Sequence, residues 1–378
     1  KTRRLKCAAP LAIVTNLYGA ATSAVARVHL PPLSVWGDRA SYVGSPPLSA
    51  SNLIALSVGG SHVIGLREDG TAVGWGMNDC AQAAVPEGLS NVVQVSAGEW
   101  HSLALRSDGT VAGWGSASYG GSVPEASLSN IVQVSAGAMF SLALDAEGNV
   151  YSWDKPESFQ IEPVADAVAI AAGGVHCVAL LRDGSVTAWG INPLGQTSVP
   201  PEATNAVAVT AGRGFSAALR ADGHVVAWGT FEESPLMVLD LRCYGPNTSW
   251  SGTAGERRLP VPAEATNVVA IAAGRHHLVA LRADGVVIAW GENTAGQTEV
   301  PGLDEVMTIA AGGDLSAVLH GALGARFGAI QPVKIVGEDA SVLLNLARAG
   351  RPPFGQQWQH NGTDLPSQTG PFLWLPAG

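Results

Sequence analysis

Four histidines recur in the chain at one position of a repeated pattern, and histidine is the side chain best suited to acid–base or metal chemistry near neutral pH. They are His62, His101, His176 and His277. The same position of the other repeats carries Phe140, Phe215 and Leu315. A position that accepts His, Phe and Leu is a packing position. We therefore interpret the histidines as core residues rather than as catalytic bases or metal ligands.

Five aspartates also recur, each directly before a glycine: Asp69, Asp108, Asp183, Asp222 and Asp284. This pairing is typical of tight turns. General acid–base catalysis by carboxylates needs a second acid at a fixed spacing, and none recurs. The sequence contains no Gly-rich phosphate loop before a helix and no Cys-x-x-Cys pair. It therefore predicts no enzyme activity, no catalytic residues, no cofactor and no metal site.

The four cysteines are scattered along the chain, at Cys7, Cys80, Cys177 and Cys243. Cys177 occupies a strand position that holds Ser in other repeats, so we expect a buried thiol there. A disulfide between Cys80 and Cys243 stays open.

The repeat unit is seen most clearly at residues 91–115. Three short runs with strand character, at residues 92–95, 102–106 and 110–114, lie close together. Asp108-Gly109 separates the last two and predicts a hairpin with a type I′ turn. The unit ends in Trp-Gly.

The Trp-Gly marker recurs at Trp36, Trp75, Trp114, Trp189, Trp228 and Trp290, and Trp153 precedes an aspartate instead. The period is 39 residues, except for one step of 36 and one of 62, which indicate a shortened unit and an insertion. A second marker, Ala-Gly or Val-Gly, ends the first run of each unit at Gly59, Gly98, Gly137, Gly173, Gly212, Gly274 and Gly312. Short β units of this length cannot bury their faces alone, and radial arrangement protects their edges. The sequence predicts an all-β, seven-bladed β-propeller, closed by pairing the strand near Trp36 with the strand after Gly312.

The unit Ala-Gly-x-x-His-Ser-Leu-Ala-Leu-Arg-x-Asp-Gly-x-Val-x-x-Trp-Gly resembles the repeat of the regulator-of-chromosome-condensation family, whose members are seven-bladed propellers. The resemblance covers residues 35–325. The connector Gly-Gln-Thr-x-Val-Pro, at residues 195–200, is similar to that of a bacterial secreted branch. That branch includes propellers that inhibit β-lactamase by binding it.

We expect the propeller to span residues 33–328, with an insertion at about 231–254. Residues 1–32 resemble either a signal peptide or a degenerate repeat, because a basic start and an apolar stretch precede Ala24-Val25-Ala26. Residues 329–378 resemble part of an immunoglobulin-like domain, with Trp358 before an Asn-Gly turn. This segment lacks the cysteine expected on its first strand.

Composition restricts the partners. With 47% hydrophobic and 14% charged residues, the chain can bury a large core. The net charge is −10, and the basic residues are spread over the repeats rather than clustered. Nucleic acid is excluded as a partner on this basis, since phosphate binding needs a basic patch. No apolar run is long enough to span a membrane, and we expect a monomer.

The variable positions follow the Ala-Gly and Trp-Gly markers, and the strand directions place both on one face of the disc. We expect this face to bind a protein or glycan. The candidate partner-binding residues are Glu99, Trp100, Tyr119, Met139, Arg213, Phe231, Tyr244, Trp250, Arg275 and His276.

The predicted function is a non-catalytic protein-binding module that is secreted or displayed at the cell surface. Two alternatives remain open. The chain could be a guanine-nucleotide exchange factor for a small GTPase, as the eukaryotic members of the resembled family are, or a structural spacer in a large adhesin.

Overall fold

The computed structural model describes residues 33–38, 46–117, 128–153, 164–231, 259–303 and 306–320, together with the strand assignments of eight short segments outside these ranges. Seven antiparallel three-stranded sheets form the described part of the chain, and no α-helix occurs in it. The prediction of an all-β, seven-bladed propeller is confirmed.

Each sheet is one blade, numbered here 1 to 7 by the chain order of its first strand. The inner strands are Leu53–Val58, Val92–Ala97, Ile131–Ala136, Ala167–Ala172, Ala206–Ala211, Val268–Ala273 and Val306–Gly312. The middle strands are His62–Arg67, His101–Arg106, Ser141–Asp145, His176–Leu181, Phe215–Arg220, His277–Arg282 and Leu315–His320. The outer strands are Ala72–Gly76, Val111–Gly115, Val150–Trp153, Val186–Gly190, Val225–Gly229, Val287–Gly291 and, for blade 7, Leu33–Gly37.

Blade 7 closes the ring. Its outer strand comes from the N-terminal side of the chain, and the register pairs Leu315 with Gly37 and Leu319 with Leu33. The ring of His320 shares a 2.8 Å hydrogen bond with the Ser34 hydroxyl across this pairing. The predicted closure is therefore confirmed, and it leaves no open edge between the first and last blades.

The inner strands surround a central channel of about 420 Å³, lined by residues from all seven blades. The middle strands are buried almost throughout, since they lie between inner and outer strands and between neighbouring blades. Each inner strand runs toward its Ala-Gly marker, so these markers all lie at one mouth of the channel.

The Asp-Gly hairpins differ from the type I′ turn predicted. The Gly70 amide donates to the Arg67 carbonyl at 3.1 Å, and the Arg67 amide donates to the Thr71 carbonyl at 2.9 Å. Gly70 has a positive φ of 76°, but Asp69 does not have a positive φ. The loop is thus a three-residue type I turn followed by a left-handed glycine. Asp69 stays outside that region because its carboxylate accepts the Thr71 amide at 2.9 Å.

The remaining strand assignments form four short antiparallel pairs. These are Ile13–Asn16 with Gly19–Thr22, Arg326–Phe327 with Arg348–Ala349, Val342–Asn345 with Phe372–Leu375, and Gln359–His360 with Thr363–Asp364. The assignments of residues 1–32 and 329–378 remain predictions, because these segments lie largely outside the described residues. In the described part of the chain, no helix could cross a membrane.

Candidate functional site

The repeated histidines lie between neighbouring blades and bond to the next blade. His62 Nε2 is 2.9 Å from the Ser102 hydroxyl, and His101 Nε2 is 2.9 Å from the Ser141 hydroxyl. The same 2.9 Å contact joins His176 to Ser216 and His277 to Ser316. All four histidines are fully buried.

A carbonyl group in the connector completes this arrangement. The Ser102 hydroxyl donates to the Gln82 carbonyl at 2.8 Å, so its oxygen is left to accept a hydrogen bond from the His62 Nε2–H group. The Trp114 indole donates to the same carbonyl at 2.9 Å. Burial lowers the pKa of His62 to about 4, against a smaller opposite effect of a backbone contact at His101. A neutral, fully buried imidazole bonded to a serine is a structural group.

Where the histidine is replaced, its neighbour in the next blade changes with it. The apolar pairs across the blade boundaries are Phe140 with Cys177, Phe215 with Leu278, and Leu315 with Val63. Each boundary is thus either polar on both sides or apolar on both sides, which avoids an unpaired buried hydroxyl. The packing interpretation of the histidine position is confirmed, and so is the expected burial of Cys177. Among the described residues Cys80 is a free cysteine, and Cys243, its possible disulfide partner, lies outside them.

The glycine of the Ala-Gly marker makes room for these rings. A Cβ atom at Gly59 would lie 2.4 Å from Cε1 of His62 and 2.3 Å from the Gly98 carbonyl oxygen of the next blade. The backbone at Gly59 therefore lies so close to the ring and to the neighbouring blade that only glycine fits there.

The residues directly after these glycines surround the channel mouth, and we call them the rim. They are Gly60, Glu99, Ala138, Gly174, Arg213, Arg275 and Gly313. Backbone hydrogen bonds run around the rim from blade to blade: the Glu99 amide donates to the Gly137 carbonyl at 3.2 Å, and the Arg275 amide donates to the Gly313 carbonyl at 2.8 Å. The rim is therefore a fixed backbone frame that carries different side chains.

The loops after Trp-Gly lie beside the rim, as the strand directions predict. The Ser116 amide donates to the Trp100 carbonyl at 3.0 Å, and the Glu292 amide donates to the His276 carbonyl at 2.9 Å. The two variable parts of each repeat therefore share one face of the disc.

Charged side chains from three blades meet at the mouth. Arg275 of blade 6 bonds to the Glu99 carboxylate of blade 2 at 2.8 Å, and its other terminal nitrogen lies 3.8 Å from the Asp314 carboxylate of blade 7. Burial raises the pKa of Asp314, although the charge of Arg275 opposes this shift.

A second pair lies next to it, with His276 Nδ1 at 2.9 Å from the Glu292 carboxylate. Burial lowers the pKa of His276, the Glu292 charge opposes this shift, and the nearby charges of Arg275 and Arg213 add to it.

The structure brings together Glu99, Arg213, Arg275 and His276 at the channel mouth. Trp100 and Met139 are half-buried in the loops beside the rim. Phe231 packs edge-on against Phe215, with ring centroids 4.7 Å apart, so blade packing accounts for this aromatic ring. Three more candidates, Tyr119, Tyr244 and Trp250, lie outside the described residues, as does nearly all of the insertion at 231–254.

Two charged residues of the mouth, Asp314 and Glu292, are absent from the predicted set. Both occupy positions that the repeat pattern marks as variable, directly after Gly313 and Gly291. The signal was therefore present, but the prediction favoured aromatic and basic residues. Among the described residues, no group of three or more His, Cys, Asp or Glu side chains could hold a metal ion.

Residues 53–82, 92–120, 167–196 and 268–297 match the model of the regulator of chromosome condensation (RCC1) repeat. These segments lie in blades 1, 2, 4 and 6, which are the blades that carry the buried histidine. The chain thus contains RCC1 repeats, and the structure extends the same architecture to the blades with Phe or Leu. No curated protein matches the sequence significantly.

Solved structures share the fold. Prp20p from Saccharomyces cerevisiae is similar with a TM-score of 0.58 and 22% identity, over 76% of this chain and 90% of that one. Human WBSCR16 has a TM-score of 0.57 and 20% identity, over 77% of this chain and 100% of that one. The ectodomain of the receptor kinase CR4 from Physcomitrella patens has a TM-score of 0.52 and 24% identity, over 68% and 66%. The chain is thus a seven-bladed propeller that contains RCC1 repeats.

Proposed function

We propose that this propeller is a non-catalytic protein-binding module that acts outside the cell or at its surface. The observation that carries the proposal is the rim, where the backbone repeats from blade to blade while the side chains change. In repeat proteins, such a variable face on a constant scaffold is commonly the binding surface.

Propellers of the same fold support a role in protein binding. Prp20p has been studied for its binding to Gsp1p and histones, and a complex with Kap60 has been solved. The CR4 propeller belongs to a receptor ectodomain, which agrees with an extracellular location. The connectors that resemble the bacterial secreted branch point the same way, and β-lactamase is one partner to test.

The exchange-factor alternative predicts a small GTPase as the partner and a cytosolic location. The spacer alternative predicts no specific partner at all. Net charge −10 and the rim's mixed charges favour a specific protein partner over nucleic acid.

The test is capture on immobilised propeller from extracellular and cytosolic fractions, followed by rebinding of the purified captured protein. A rim variant, Arg213→Ala and Arg275→Ala together with Trp100→Ala beside the rim, is compared with Arg106→Gln, which removes an exposed charge at the Asp-Gly end. We expect a partner from the extracellular fraction that the rim variant fails to bind and the control retains. A GTPase captured from the cytosol would contradict the proposal. A partner that the rim variant binds as well as the wild type does would also contradict it.

A further inference from the structure

Two glycines of the rim leave space that charged side chains of the next blade occupy. A Cβ atom at Gly60 would lie 2.9 Å from Cγ of Glu99, and one at Gly174 would lie 3.1 Å from Cγ of Arg213. The Glu99 and Arg213 side chains therefore lean over the preceding blade, where any larger residue would displace them.

The Arg275–Glu99 pair joins blades that are not neighbours. Blades 7 and 1 lie between them and contribute only Gly313 and Gly60 to the rim. An ion pair with a 2.8 Å contact thus bridges part of the channel mouth where the rim positions of the intervening blades carry no side chains.

Arg275 has more hydrogen-bond donors than Glu99 uses. A guanidinium group carries five N–H donors, and the side chain of Arg275 makes one hydrogen bond within the described residues, to Glu99. None of its nitrogens is buried without a partner, and a quarter of the side chain, 25%, is exposed. The unused donors therefore face solvent.

The carboxylates at the mouth are already engaged. Glu99 bonds to Arg275, and Glu292 bonds to His276 and accepts the Thr294 hydroxyl at 2.9 Å. Asp314 is partly buried beside Arg275. Deeper in the channel, the hydroxyl of Ser57 accepts the Ala97 amide of the next blade at 2.8 Å, and Ser96 and Ser135 act likewise. The available group is thus the guanidinium of Arg275, with the donors that Glu99 leaves unused.

We propose that the channel mouth is a carboxylate-binding site for an acidic side chain of the protein partner, and that Glu99 occupies this site in the unbound protein. Arginine forms bidentate bonds with carboxylates, so an incoming Asp or Glu can replace Glu99 at Arg275 with little loss of hydrogen bonding. This proposal rests on the proposed function and names the chemistry of its partner.

The test uses the full chain and a fluorescein-labelled, capped peptide, Gly-Gly-Glu-Glu-Gly-Gly, with Gln and Lys versions as controls. Fluorescence anisotropy at low salt reports binding. Because Glu99 competes with the peptide, Glu99→Gln should bind the Glu peptide about fivefold more tightly than the wild type. Arg275→Gln should bind it at least tenfold more weakly, and Arg106→Gln should not differ from the wild type.

Thermal melting shows that each variant is folded. The proposal is overturned if Glu99→Gln weakens binding of the Glu peptide, if the Lys peptide binds as tightly as the Glu peptide, or if no variant binds the Glu peptide. In those cases, Trp100→Ala decides whether the proposed function also fails. If this variant no longer captures the protein partner, the binding face stands and only its carboxylate site is disproved.

Discussion

Two positions that lie only two residues apart in every repeat, at the blade boundary and at the rim, behave in opposite ways. At the blade boundary, each residue type is matched by its neighbour: His101 faces Ser141, whereas Phe140 packs with Cys177. At the rim, the equivalent position carries a charged residue in three blades, Glu99, Arg213 and Arg275, and Gly or Ala in the other four. A substitution at the boundary must therefore suit the facing residue of the next blade. A substitution at the rim needs only enough room for the new side chain. Positions whose residues match between repeats or across a boundary maintain the fold, and positions whose residues differ are available for binding a partner.

The largest effect is expected from opening the ring. Deleting residues 1–37 removes the outer strand of blade 7, including Leu33 and Trp36, which are 4% and 6% exposed. The loss of these two buried side chains should cost at least about 5 kcal/mol in the free energy of unfolding. Deleting residues 1–32 instead keeps the strand and should leave the melting temperature nearly unchanged. Equal melting of the two truncated chains would show that closure adds nothing.

The next effect is acid destabilisation through the buried boundary. Burial lowers the pKa of His62, His176 and His277 from 6.5 to about 4 in the folded state. Between these values the unfolded chain binds protons that the folded chain does not, so stability falls as pH drops from 6.5 toward 4. Each histidine should contribute roughly 3 kcal/mol to this loss.

Denaturant unfolding at pH 7, 5.5 and 4.5 measures this loss. The matched variant is His62→Phe with Ser102→Cys, which copies the native Phe140–Cys177 boundary. Its slope of unfolding free energy against pH should be smaller by about 1.4 kcal/mol per pH unit. An unchanged slope would mean that His62 does not titrate with unfolding.

Substitutions of His101 should have a smaller effect on stability, and they distinguish a packing role of this histidine from a role as a metal ligand. His101→Asp buries an unpaired charge and should cost at least about 3 kcal/mol at pH 7. His101→Phe should cost about 1 kcal/mol, because it leaves the Ser141 hydroxyl without the ring. Adding Ser141→Cys to His101→Phe should restore part of that loss in thermal melting. If melting of the wild type instead depended on added zinc, the histidines would be ligands and the packing interpretation would be wrong.

Much of the fold was predictable because it is periodic. The Trp-Gly and Ala-Gly spacing predicts the blades and their closure, and the mixture of His, Phe and Leu at one position predicts its burial. The turn type was not predictable. The carboxylate of Asp69 accepts a hydrogen bond from the Thr71 amide, and this contact keeps Asp69 outside the left-handed region. The pairing of His with Ser across boundaries could have been found by comparing each repeat with the next.

The candidate site was predictable only in part. The variable positions identify the face, but nothing in the sequence joins Glu99 to Arg275, which are 176 residues and several blades apart. That contact depends on the glycines of the intervening blades, whose small size permits it rather than specifies it. Asp314 and Glu292 were missed for a different reason: both occupy variable positions of the repeat, but the prediction favoured aromatic and basic residues.

The most direct test measures stability and partner capture together on two variants of similar size. One, the rim variant, combines Arg213→Ala and Arg275→Ala with Trp100→Ala beside the rim, and the other changes the boundary, with His101→Phe and Ser141→Cys. We predict that the rim variant melts within a few degrees of the wild type and loses the captured partner. The boundary variant should bind that partner with unchanged affinity. A rim variant that unfolds, or a boundary variant that folds but no longer binds, would contradict the division between structure and function proposed here.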